Sequence, residues 1–237
     1  MGRAFEKRKH VMFARYDKMA KAFTRIGREI SMAVKNSGPD PGGNPRLRAA
    51  MQTAKGLNMP KDRIEAAIKR ASEKSDEVFE EHIYEGYGPY GVAVLLETAT
   101  NNTNRTVANV RSYLTRAEGT LNKTGSLDFI FTRKGMFKLN ATGLDPEEIE
   151  LDLIDSGLEE LFIDAEDNQI IIYTAFQDYS LMQKALEERN LPIVSSELER
   201  IANTFVELTE EQETEVMEMV EKMEQDDDVQ KVYHNIK

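Results

Sequence analysis

The hydrophobic rhythm of the chain changes once, near Ser75. Before it, apolar positions follow a helical period. Between Phe13 and Asn36, Tyr16, Met19, Phe23, Ile26, Ile30 and Val34 recur every three or four residues, while Arg15, Lys18, Lys21, Arg25 and Arg28 take the other side. This spacing predicts an amphipathic helix with a basic back. The run Ser37-Gly38-Pro39-Asp40-Pro41-Gly42-Gly43 ends it, because prolines and glycines at this density cannot continue a helix. Asn44 then reads as an N-cap with Pro45 in the first turn, and Leu47, Ala50, Met51 and Ala54 form the apolar stripe of a second helix. Pro60 opens a third, with Ile64, Ala67, Ile68 and Ala71 inward. Its acids Asp62 and Glu65 come early and its bases Lys69 and Arg70 late, as the helix dipole favours.

After Ser75 strands predominate. Val78–Glu85 and Val92–Thr98 read as two strands around a glycine-rich connection, followed by a helix over Asn104–Glu118 and a strand over Ser126–Thr132. From Gly135 the order is strand Met136–Asn140, helix Pro146–Ser156, strands Glu160–Asp164 and Gln169–Thr174, helix Tyr179–Glu188 and strand Val194–Arg200. That β-α-β-β-α-β order is the ferredoxin-like pattern. The remainder predicts a short strand, a helix over Glu210–Gln225 and a strand over Val229–Tyr233, too little to fold alone, so it is expected to return to the preceding β-β-α-β unit. The expected architecture is α+β and multidomain. Residues 1–75 form a basic N-terminal arm and three-helix bundle, 76–133 with 203–237 a discontinuous middle α+β domain, and 134–202 an inserted ferredoxin-like domain.

Charge sharpens this division. Residues 1–75 hold 18 Lys/Arg against 7 Asp/Glu, whereas 76–237 hold 13 against 35, so a net of +11 faces one of −22. Like charges gathered in one segment make a field that a polyanion senses over about 8–10 Å at cellular ionic strength. The head is therefore expected to meet phosphate, and the body to face protein or solvent. Cysteine is absent, which excludes disulfides, thiolate metal sites and cysteine nucleophiles and fits a reducing compartment. Residues 1–7 have no secretory apolar segment, and runs such as Val92–Leu96 fall short of the roughly 18 residues of a membrane span. The expected location is the cytoplasm, with no membrane partner.

Candidate chemistry is sparse. Gly86-Tyr87-Gly88-Pro89-Tyr90-Gly91 matches the letters of a dinucleotide fingerprint, but a strand follows where that motif requires a helix, so a strand connection is expected. Tyr84, Tyr87 and Tyr90 could stack bases or pack the connection against the sheet. Asn101 to Thr106, with Arg105 and Arg111, sets amides and guanidinium groups at a helix start, where a phosphate could sit or Arg105 could pair with an acid. Asp226-Asp227-Asp228 reads as a solvated helix end, and His10, His82 and His234 are too scattered to suggest a metal or catalytic cluster. No cofactor, metal site or catalytic residue is expected.

Several longer runs are familiar. Asn44-Pro45-Arg46-Leu47-Arg48, Ala54-Lys55, Asn58-Met59-Pro60-Lys61-Asp62, Tyr84-Glu85-Gly86-Tyr87-Gly88-Pro89, Asn104-Arg105-Thr106 and Thr124-Gly125-Ser126 together resemble the YebC family, which includes a mitochondrial translational activator. The resemblance implies three domains, no catalysis, and either DNA-binding transcriptional regulation or action in translation on the ribosome, notably at proline runs. The sequence departs from the family at Gly2-Arg3-Ala4-Phe5, where a tryptophan-containing start is usual, and at Tyr90 and Asn122, where glycine prevails. The reading that follows is a non-enzymatic regulator of gene expression whose Arg3, Lys7, Arg8, Lys9, Arg15, Lys18, Lys21, Arg25, Arg28, Arg46, Arg48, Lys55 and Lys61 grip DNA. Tyr84, Tyr87, Tyr90, Arg105 and Arg111 are secondary contacts. Ribosomal RNA is the alternative target, and a scaffold binding a basic protein through the acidic domains is a second alternative.

Overall fold

A computed structural model describes residues 3–73 and 78–237, with side chains from Met19 onward. The chain divides into two compact units, Met1–Val78 and Phe79–Lys237. The first is helical: α1 (Arg3–Ser37), α2 (Pro45–Gly56) and α3 (Lys61–Ser72). The expected arm ahead of Phe13 is instead the first part of α1, consistent with a composition of Ala, Glu, Lys, Arg and Met that favours helix and contains no breaker after Gly2. Ile26, Ile30, Ala33 and Val34 of α1 meet Leu47, Ala50 and Ala54 of α2 and Ile64 of α3 in one buried cluster.

One residue holds the turn between α1 and α2. Asn44 is fully buried, and its Oδ1 accepts the Leu47 N–H at 3.0 Å, satisfying one of the orphan donors of a helix start. Its Nδ2 donates to the carbonyls of Ala33 and Gly38, each at 2.8 Å. Gly38, at φ 86°, supplies the left-handed residue that ends α1.

The second unit contains two four-stranded antiparallel sheets. Strands β1 (Glu80–Tyr87), β2 (Ala93–Thr100) and β3 (Thr120–Asn122) join β8 (Val229–His234) in the order β3-β1-β2-β8. Helices α4 (Thr103–Arg116) and α7 (Glu210–Glu224) cover one face of this sheet through Val110, Leu114, Val216, Met219 and Val220. Strand β8 thus joins the first sheet beside β2, and Val206 adds an isolated bridge to Ile236.

The second sheet is built from β4 (Phe131–Asn140), β5 (Leu158–Asp164), β6 (Gln169–Ala175) and β7 (Ile193–Ala202), in the order β5-β6-β4-β7. Helices α5 (Pro146–Leu153) and α6 (Tyr179–Glu188) pack on one face over Phe137, Leu139, Ile170 and Ile172. The expected strand over Ser126–Thr132 is not formed as such. Ser126–Ile130 is a turn, and β4 runs unbroken from Phe131 across the boundary expected at 133/134.

The cause of that turn lies on β1. Glu85 is buried, and its carboxylate accepts the N–H groups of Gly125 at 2.8 Å and Leu127 at 2.7 Å, with the Ser126 hydroxyl at 3.2 Å. Gly86 beside it must be glycine, since a Cβ there would lie 2.3 Å from the Thr120 carbonyl of β3. Between the two sheets, Leu95, Leu127, Ile130, Phe131 and Tyr233 form a separate apolar cluster. At its edge Arg200 pairs with Glu97 at 2.9 Å, and Lys231 of β8 lies between Glu197 and Glu199 of β7. Among the described residues no helix is long and apolar enough to cross a membrane.

Candidate nucleic-acid interface

The basic residues of the helical unit fall into distinct groups. Arg3, Lys7, Arg8, Lys9, Arg15 and Lys18 lie on the backbone of α1, but their side chains are outside the described residues. Lys21, Arg25 and Arg28 are half-buried on α1 and all engaged in interactions. Arg46 is fastened to α1: its Nε donates to Glu29 Oε1 at 2.7 Å and its Nη2 to Glu29 Oε2 at 3.2 Å, a bidentate fork. Arg48 Nη1 donates to the carbonyls of Pro41 at 2.8 Å and Gly42 at 3.1 Å. These two arginines tie α2 to α1 and to the turn before it.

The remaining cations face outward. Lys55 near the end of α2 is exposed, and so is Lys61 at the start of α3, 3.5 Å from Glu65. Three more exposed bases on α3 extend the surface: Arg63, whose guanidinium lies 5.8 Å from the Phe23 ring centroid, and Lys69 and Arg70 in the last turn. Lys55, Lys69 and Arg70 have no ion-pair partner among the described residues. Sequence reasoning recognised Arg63, Lys69 and Arg70 as part of the basic head without assigning them to the grip. Their signal was available, because all three lie off the Ile64-Ala67-Ile68-Ala71 stripe.

The secondary candidates belong to the other unit, and the structure separates them. Tyr84 packs among the residues under α4 and α7, its hydroxyl buried, and burial first, then Asp228, raises its pKa. Tyr87 packs on the opposite face with Leu95 and Tyr233. Tyr90 alone is well exposed. It adopts a left-handed φ of 61°, and its hydroxyl donates to Glu215, the bond that chiefly raises its pKa. Arg111 is exposed on α4.

Arg105 is occupied by an acid that sequence reading placed in solvent. Asp228 is buried, and Arg105 holds it through Nη2 at 2.7 Å and Nε at 3.1 Å, joined by the Thr106 hydroxyl at 2.8 Å and the Thr100 hydroxyl at 3.2 Å. Burial alone would push the Asp228 carboxyl up. The Arg105 fork and the two hydroxyls outweigh it and hold the pKa below the ordinary carboxylate value. Asp226 likewise accepts from Asn109 at 2.9 Å and the Tyr113 hydroxyl at 3.0 Å; the phenol is pushed up to about 12, by burial first and then by this bond. The triple-aspartate run is a fastening of α4 to the start of β8, and only Asp227 is exposed.

His82 Nε2 lies 3.3 Å from Glu80 and 3.2 Å from Thr103, and His234 is partly buried on β8, which lowers its pKa. They sit on different strands, with β2 between them. No group of three or more His, Cys, Asp or Glu side chains suited to a metal occurs among the described residues.

Comparison with known proteins matches both units to one family. Residues 3–74 match the TACO1/YebC protein N-terminal domain, and residues 79–236 match the TACO1/YebC second and third domain. The chain belongs to the TACO1/YebC family. Its relatives include a "Probable transcriptional regulatory protein" of Cytophaga hutchinsonii, 58% identical over 100% of this chain and 98% of that one. Another of the same description, from Anaeromyxobacter dehalogenans strain 2CP-C, is 52% identical over 100% of both chains. The crystal structure of a conserved hypothetical protein from Aquifex aeolicus superposes with a TM-score of 0.79 at 36% identity, covering 92% of this chain and 90% of that one. The TACO1/YebC motifs read from the sequence now have structural meanings. Glu85 and the 124–126 turn are two sides of one buried contact, and Arg105-Thr106 grips Asp228.

Proposed function

We propose that this protein is a non-enzymatic regulator of gene expression that binds duplex DNA through the phosphate backbone, using the outward bases of α2 and α3 with α1. The observation that carries this is the set of exposed bases Lys55, Lys61, Arg63, Lys69 and Arg70 on a segment of net charge +11. Phosphate contacts of this kind supply affinity and strong salt dependence, and they carry little base readout. The names of the curated relatives support a regulatory role. The strand order β5-β6-β4-β7, with two helices on one face, supports reading 134–202 as a ferredoxin-like domain inserted in a middle domain of 76–133 and 203–237.

Structured RNA presents the same phosphate chemistry, so the test compares the two polymers. The full chain is titrated against a duplex DNA and a structured RNA of matched length, and co-sedimented with ribosomes, each over a series of salt concentrations. The expected result is DNA binding whose logarithmic salt slope is about 0.9 per phosphate neutralised. Reversing Lys55, Lys69 and Arg70 to Glu is expected to weaken it at least roughly tenfold and to flatten the slope. Selective binding to RNA or ribosomes transfers the reading to translation. Absence of binding to all three at low salt overturns it.

A further inference from the structure

Within the second unit and among the described residues, strand β5 is paired with β6 on one side and has no strand on the other, so alternate backbone N–H and C=O groups along its seven residues face away from the sheet. Strand β7, at the opposite edge, is occupied differently, since Glu197 and Glu199 hold Lys231.

Proteins usually blunt a free edge with bulges, charges or prolines. Here the bulge between Leu158 and Glu160, with Lys134 paired to Glu159 and Glu160, protects only the first half. The second half, Leu161–Asp164, is in regular register with β6 and displays Phe162 at 50% and Ile163 at 62% exposure. Large apolar side chains at this exposure, beside an unpaired backbone, are the ingredients of strand addition: main-chain bonds supply affinity and alternate side chains supply selectivity.

Charge specifies the occupant. From Leu139 to Gln183 the chain carries twelve Asp/Glu and no Lys or Arg, and β5 lies in the middle of that stretch. Nucleic acid is repelled from such a surface, and a second copy of β5 would set Glu160 and Asp164 against their own kind. We propose that the free edge of β5 is a docking site for an extended protein segment in which Lys or Arg alternates with apolar residues, added as a fifth strand. Apolar side chains of that segment cover Ile163 beside Leu161 on the helix-bearing face, while its cations lie over the other face, where Glu160 and Asp164 flank Phe162. This site shares no residue with the proposed phosphate-binding surface.

The test uses the full chain and a labelled synthetic peptide of alternating lysine and valine, with a control of the same composition in which lysines and valines form separate blocks. Binding is followed by fluorescence anisotropy, and amide hydrogen exchange locates the contact. The alternating peptide is expected to bind more tightly than the block peptide and to slow exchange across residues 158–164. Ile163→Lys and, separately, Phe162→Ser are expected to weaken it by roughly tenfold, with melting temperature unchanged because both side chains are exposed. Equal affinity for the two peptides, absence of binding, no added protection in β5, or protection that appears on concentrating the chain alone each overturns the proposal. If one variant melts early, the other decides.

Discussion

Asp228 shows what a run of identical letters hides. Three consecutive aspartates after an acidic helix resemble a solvated end, and nothing local distinguishes the third. It is buried because β8 pairs with β2, which brings the start of β8 to Thr100 and to the first turn of α4, more than 100 positions earlier. Asp228→Asn should therefore cost about 3 kcal/mol, the lower end for breaking a buried pair because Arg105 is half-exposed. Urea unfolding measures it. The folded pKa lies below the unfolded value, so the unfolded state holds the proton more firmly and this contribution is complete above the ordinary value of 3.8. It fades as pH falls from that value through the lower folded one, and the gap between wild type and variant should shrink over that interval and be unchanged at neutral pH. Tyr90 was legible for a different reason: it occupies a position where the family favours glycine, and its left-handed backbone explains that preference. Tyr90→Gly should remove about 1 kcal/mol of backbone strain and lose only an exposed hydrogen bond to Glu215, leaving a net change in the denaturation midpoint that is zero or stabilising.

Helices were read more faithfully than the junctions between elements. The spacing of Met182, Ala185 and Leu186 in α6, or of Val216, Met219, Val220 and Met223 in α7, is set by helical geometry and is visible in any short window. The turn at Ser126–Ile130 is not, because a buried carboxylate on β1, some 40 positions away, creates it. The arm before Phe13 was misread because its polar residues lack an apolar stripe, although their helix propensity is high. Asn44 lies between these cases. Its capping role follows from the proline after it, whereas its two further bonds to Ala33 and Gly38 depend on α1 ending where it does. Asn44→Ala should destabilise the chain by about 2 kcal/mol, one part for the lost cap and one for carbonyls left without a donor in the interior. Thermal unfolding followed at 222 nm reports it.

Taken together, the bases of the head do two kinds of work that charge counting merges. Arg46 and Arg48 hold helices in place, while Lys55, Lys69 and Arg70 stand free of ion pairs among the described residues. Arg46→Ala should lower the melting temperature by an amount corresponding to about 1 kcal/mol, its fork being only partly buried, with nucleic-acid affinity changed far less than by reversal on α3. Binding curves and melting curves on the same preparations separate the two roles. The candidate surface was thus legible in its sign and its helices, and illegible in which cations are spent on structure. The pairing of Phe131 with Ala202 has a consequence of another kind. On the proposed reading of 134–202 as an inserted domain, the chain enters and leaves it through adjacent, register-matched strands, β4 and β7. A tight turn joining those two strands would carry the backbone across the same gap and leave the strand order of the first sheet unchanged.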